Sequence, residues 1–155
     1  MALLVGSRAP QFTLPGWFGD SQAWFDLGAQ RGHPVLLAFY PGDERLVCTR
    51  QLCAYSDRIA DLHLLEAVVW AIAPQDIDSH RSFAQGRKLR MPLLADTDNV
   101  VGRGYGIVGA MGLRRSVFVV DADGSIAWRW VAAVNVVFPG VDELRKVLGR
   151  VRAAA

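Results

Sequence analysis

Among its 155 residues the chain has two cysteines, three histidines and, within 17 basic residues, only two lysines. Each scarcity excludes something. Cys48 and Cys53 are too few and too close to staple a small secreted domain as a disulfide framework. His33, His63 and His80 stand far apart, none at a ligand spacing from either cysteine, so a zinc or copper centre is a weak reading. No basic run exceeds two residues and the net charge is only +2, which argues against nucleic acid as a partner. No apolar stretch approaches the roughly 20 residues of a membrane span. No N-terminal segment has the charged, apolar and small-residue order of a signal peptide. These absences predict a cytoplasmic protein whose thiols are kept reduced and whose disulfides are transient. Lysine is confined to Lys88 and Lys146, an arginine bias that reads as genome composition rather than function.

What is present is a substantial apolar fraction, 52% of the residues, enough to bury one core. Residues 1–155 read as a single domain by size, with no internal repeat. A turn-rich arm to about Gly32, with a short hairpin, precedes a buried strand over Val35–Tyr40. A helix over Cys48–Leu64, a strand over Ala67–Ala73 and a helix from Asp78 to about Gln85 follow. An extended piece at Leu93–Ala95 leads to a helical stretch from Asp98 to about Tyr105. Strands Val117–Val120 and Ile126–Val131 flank an Asp123-Gly124 turn, a hairpin signal. The last helix runs from about Val141 to Arg152, with Val141, Leu144, Leu148 and Val151 at helical spacing. This order predicts an α/β fold with a central mixed β-sheet flanked by helices.

The chemistry concentrates between Phe39 and Cys53. Pro41-Gly42-Asp43 stops the strand, and Cys48 then heads an apolar helix face with Leu52, Tyr55, Ile59 and Leu62. Unpaired N–H groups and the dipole at a helix N-terminus favour a thiolate. That terminus contributes about 0.3–2 kcal/mol, so a nearby cation is expected as well. Cys53 lies five residues on, rotated by about 140° and raised by about 7.5 Å on a regular helix. The two Cα atoms would then be roughly 8–9 Å apart, beyond the reach of about 7 Å that a disulfide allows. If the two sulfurs pair, the first turns of the helix must unwind. The bland alternative, two small core residues, fits a cysteine picked at random but not one placed after Pro41 at a helix start.

Four segments also resemble one known family. Pro41 and Cys48 fit the Pro-x-x-x-Thr/Ser-x-x-Cys stretch of the peroxiredoxins, most of all the subfamily related to bacterioferritin comigratory protein (Bcp, or PrxQ). Val5-Gly6-Ser7-Arg8-Ala9-Pro10-Gln11-Phe12, Met91-Pro92-Leu93-Leu94-Ala95-Asp96 and Arg115-Ser116-Val117-Phe118-Val119-Val120-Asp121 are similar to three further family segments, in order. The resemblance implies a thioredoxin-like fold and a thiol peroxidase that needs no cofactor and no metal. Cys48 would be peroxidatic and Cys53 resolving. Arg115 would stabilise the thiolate and the departing oxygen, and Pro41 would shield the sulfur. Thioredoxin or a similar dithiol would restore the thiols, and the protein would be a monomer or homodimer.

Arg45 departs from the pattern, because the family carries a hydroxyl there that bonds the thiolate and orients the peroxide. Arginine donates but cannot accept. It either turns inward onto the thiolate or points to solvent, and Thr49 is the neighbour that could substitute in part. The alternatives implied are a redox-sensing module disabled at Arg45 and a one-cysteine enzyme in which Cys53 does not resolve. A dithiol oxidoreductase is weaker, since four residues rather than two separate the cysteines.

Four other features read as structural. Gly104-Tyr105-Gly106-Ile107-Val108-Gly109 matches a dinucleotide motif literally but lacks a preceding strand, so turn and packing glycines are expected. Asp43 and Glu44 read as turn polarity, and His80 as a solvated helix residue beside a buried Phe83. Trp128 and Trp130 share one strand face, opposite Arg129, and read either as core or as an apolar patch at an interface.

Overall fold

The computed structural model describes residues 2–134 and 136–154; Met1, Asn135 and Ala155 lie outside them. The N-terminal hairpin is β1 (Thr13–Phe18) and β2 (Ser21–Asp26), closed over Gly19 at φ +65°, a left-handed turn position that suits glycine. A 3-10 turn over Leu27–Gln30 leads to β3 (Val35–Phe39), α1 (Leu46–Asp57) and α2 (Ile59–His63). Then come β4 (Val68–Ala73), α3 (Ile77–Arg87), β5 (Leu93–Ala95) and α4 (Val100–Gly104). A two-stranded flap, β6 (Val108–Gly109) and β7 (Gly112–Leu113), precedes β8 (Ser116–Val120), β9 (Ile126–Val131) and α5 (Val141–Ala154).

Seven strands form one sheet in the order β2-β1-β5-β4-β3-β8-β9. Strands β3, β4 and β5 are parallel, and the remaining pairs are antiparallel. Every residue of β3 and β8 is buried, because helices and loops cover both faces of the sheet centre. Alternation then sorts their side chains into two cores. Leu36, Ala38, Val117 and Val119 meet α1, α2, α3 and α5 on one face. Leu37, Phe39, Phe118 and Val120 meet Val101 and Tyr105 on the other.

The predicted mixed α/β sheet is present, with two changes around α1. The helix begins at Leu46, so Cys48 lies within its first turn rather than opening it, and Arg58 interrupts it before α2. The apolar spacing runs through the interruption: Leu52, Tyr55, Ile59 and Leu62 are all buried, so burial continues although the helix does not. The short flap β6–β7 has no periodic signal and was not predicted. The glycines from Gly104 to Gly109 fall where α4 turns into this flap, and Gly106 adopts φ +74°. They serve the turn and open no βαβ unit.

Candidate active site

Three parallel strands deliver their loops to one edge of the sheet, the edge where open α/β sheets place their chemistry. The residues after β3, β4 and β5 therefore converge. Register supplies the fourth contributor. Antiparallel pairing sets Ser116 opposite Phe39, so Arg115 falls beside Tyr40, where the chain leaves for α1. Gly42 is buried, and a Cβ there would lie 2.9 Å from Arg45 Nε, so the glycine makes room for the arginine side chain.

Cys48 is fully buried, in the first turn of α1. Arg115, 2% exposed, donates from Nη2 to its sulfur at 3.1 Å and from Nη1 to Gln51 Oε1. Gln51 donates in turn to the Tyr55 hydroxyl at 3.2 Å, which donates to the Pro139 carbonyl at 2.6 Å. A guanidinium held on two sides presents a fixed positive charge and a donor to the sulfur. Burial pushes the Tyr55 phenol well up, so it remains a donor. Gln51 and Tyr55 were missed as site residues because their role depends on a partner 64 positions away from Gln51 in sequence.

Cys53 lies further along the same helix and is half-buried; both cysteines are free. Burial raises its thiol above the ordinary value, and Asp57 and Glu44 add to this against Arg87. Pro41 is half-buried. Arg45 is exposed, with its side chain folded against the Gly42 backbone. It is the N-cap of α1 yet makes no side-chain cap hydrogen bond, and the first turn holds no acidic residue. Thr49 Oγ1 is buried and, among the described residues, has no hydrogen-bond partner.

Two expectations need correction. His80 is not solvated: its side chain is completely buried, with Nδ1 2.8 Å from Asp43 Oδ2. Asp43 is not turn polarity either, since it is buried and accepts from Tyr40 and Ser79 as well. The flanking Ser79, Arg81 and Ser82 give α3 a polar look, and only the tertiary pairing turns His80 inward. Phe83 is buried as predicted, and Trp128 and Trp130 pack partly buried against the core that holds Cys48. Among the described residues, no group of three or more His, Cys, Asp or Glu is placed to hold a metal ion.

Residues 5–129 match the model of the AhpC/TSA family. The protein named "Putative peroxiredoxin bcp" from Coxiella burnetii is 34% identical over 138 residues, covering 84% of this chain and 89% of its own. Chloroplastic peroxiredoxin Q of Suaeda salsa is 35% identical over 125 residues, covering 78% of this chain and 56% of its own. In solved structures the fold matches Mycobacterium bovis AhpC with a TM-score of 0.90 at 20% identity, covering 100% of this chain and 96% of that one. It matches a reduced 2-Cys peroxiredoxin of Plasmodium vivax equally well, with a TM-score of 0.90 at 20% identity over 96% of this chain and 82% of that one. With the family model spanning most of its length and its sequence relatives named for Bcp and peroxiredoxin Q, the chain belongs to the AhpC/TSA family of peroxiredoxins, on its Bcp/PrxQ-like branch.

Proposed function

We propose that the protein is a thiol-dependent peroxidase in which Cys48 is oxidised and Cys53 resolves it. The observation that carries this reading is the buried Arg115 guanidinium 3.1 Å from Cys48 Sγ at the start of α1. The Cys48 thiolate attacks one peroxide oxygen; the S–O bond forms, the O–O bond breaks, and the other oxygen leaves protonated as water or alcohol. The Arg115 donors face the charge that shifts from sulfur to the departing oxygen. Cys53 then attacks the sulfenic sulfur, forming S–S and releasing water. Because both cysteines belong to one helix, the first turns of α1 unwind for this step. A dithiol such as thioredoxin restores both thiols. Pro41 packs in the loop that covers the sulfur.

The outward Arg45 leaves the site without the family hydroxyl. Thr49, which follows Cys48 in sequence and whose buried hydroxyl has no hydrogen-bond partner among the described residues, is our candidate for the missing donor. Family membership favours turnover over a sensor disabled at Arg45. Among the described residues no helix is long and apolar enough to cross a membrane. We place the protein in a reducing compartment, the cytoplasm, acting as a monomer or homodimer.

The test is peroxide consumption with thioredoxin, its reductase and NADPH, for wild type, Cys48→Ser and Cys53→Ser. Turnover is expected in wild type and lost in both variants, with Cys53→Ser still forming the Cys48 sulfenic acid. Turnover that persists in Cys48→Ser overturns the reading.

A further inference from the structure

Next to the thiol chemistry, and unused by it, lies a buried polar cluster. Asp43, on the loop between β3 and α1, accepts from the Tyr40 hydroxyl at 2.6 Å and the Ser79 hydroxyl at 2.7 Å. His80 Nδ1 lies 2.8 Å from Asp43 Oδ2 and 3.1 Å from Oδ1. On its other side, His80 Nε2 is 2.9 Å from the Leu94 carbonyl of β5. The Asp43 amide donates to the Gln75 side chain at 3.3 Å, just after β4.

Proton bookkeeping is restrictive here. The Leu94 carbonyl is an acceptor only, so Nε2 must carry a hydrogen. Nδ1 faces the Asp43 carboxylate and, at 3.4 Å, the Tyr40 hydroxyl, so Tyr40, Asp43 and His80 form one connected network. Tyr40, Asp43, Ser79 and the Leu94 carbonyl are the polar groups that face His80 from β3, the loop, α3 and β5. The exposed pairs Glu44–Arg87 and Asp78–Arg81 lie outside the cluster.

Buried pairs of this kind add little net stability compared with apolar packing, so geometry is the better account of such a cluster. It ties the loop that holds Pro41 and Gly42 to α3 and to β5. The very next residue, Glu44, adopts φ +63°, a left-handed conformation unfavourable for its side chain. The chain is thus fixed at Asp43 and bent at Glu44, and α1 starts two residues later. Tyr40 connects the two sites. Burial first, then the charge and hydrogen bond of Asp43 and the charge of Cys48, push its hydroxyl well above the ordinary phenol range.

We propose that Asp43 and His80, with Tyr40, are positioning residues for Cys48, a clamp that fixes the loop preceding α1. Asp43→Ala removes the clamp, and Asp43→Asn tests rescue, because its amide can donate to Nδ1 and accept from a hydroxyl so that the contacts persist.

The experiment measures the second-order rate of Cys48 oxidation by hydrogen peroxide at neutral pH, read as sulfenic acid trapped and quantified by mass spectrometry. Asp43→Ala should react about tenfold more slowly than wild type, within the 10²-fold that misplacement by about 1 Å can cause, and Asp43→Asn should restore most of the rate. Tyr40→Phe, which removes one hydroxyl from Asp43, should slow the reaction less than Asp43→Ala. If Asp43→Ala does not fold, His80→Ala, with His80→Gln as its conservative counterpart, takes its place with the same expectation. A folded Asp43→Ala with the wild-type rate overturns the proposal, as does an Asp43→Asn as slow as Asp43→Ala. The proposal rests on Cys48 as the reacting thiol. Absence of Cys48 oxidation in wild type overturns that reading, whereas identical oxidation in wild type and variant overturns the clamp alone.

Discussion

Cys53 is a half-buried thiol, and that burial has a measurable signature. Its thiol is raised chiefly by desolvation, with Asp57 and Glu44 adding to the effect and Arg87 opposing it. A raised thiol remains protonated, and therefore poorly nucleophilic, to higher pH. In Cys48→Ser, where Cys53 is the sole thiol, the rate of alkylation by iodoacetamide should rise with pH about a midpoint above that of a free thiol. In denaturant the midpoint should fall back to the ordinary value. An ordinary midpoint in the folded variant would count against the burial of Cys53. Of the candidate site residues, Pro41, Cys48, Cys53 and Arg115 were legible because they stand in fixed motif spacings. Asp43 and His80 were not, since their pairing spans 37 positions and neither has a local pattern to reveal it.

At the scale of the element, α1 is weakly started. Its N-cap, Arg45, leaves the first-turn N–H groups without a side-chain acceptor, and the side chain lies instead on Gly42. A threonine there would accept from the N–H of the second or third helical residue, the third being Cys48 itself, at a gain of about 0.5–2 kcal/mol. Arg45→Thr should then act in opposite senses on the two half-reactions. The first oxidation should accelerate, on the order of tenfold, as the preorganised hydroxyl returns. Disulfide formation should slow by about 2- to 30-fold, because unwinding must break the added cap. Stopped-flow oxidation and rapid-quench disulfide analysis separate the two, and a faster second step would contradict the need for unwinding. The helix was legible from the spacing of Cys48, Leu52 and Tyr55. The interruption at Arg58 was not, since Ile59 and Leu62 continue the same apolar period and periodicity reports which side chains are buried, not whether hydrogen bonding is continuous.

At the scale of the whole molecule, the sheet separates two cores that share a backbone but not side chains. Phe118 belongs to the core away from α1, with ring centroids 5.9 Å from Phe39 and 5.2 Å from Tyr105. Phe118→Ala should cost about 3–5 kcal/mol of stability, read by urea denaturation. The folded fraction should still oxidise Cys48 at close to the wild-type rate; a large loss there would show that the two faces are coupled through β8. The same partition divides the tryptophans. Trp70 packs in the core remote from α1, whereas Trp128 and Trp130 lean on the core that contains Cys48 and Leu52. If the oxidative cycle unwinds α1, the emission of the β9 pair should change as the disulfide forms while that of Trp70 holds constant. Trp70→Phe should keep the oxidation-dependent signal, and the Trp128→Phe, Trp130→Phe double variant should lose most of it. The sheet thereby gives the protein an intrinsic optical reporter on one face and an internal reference on the other.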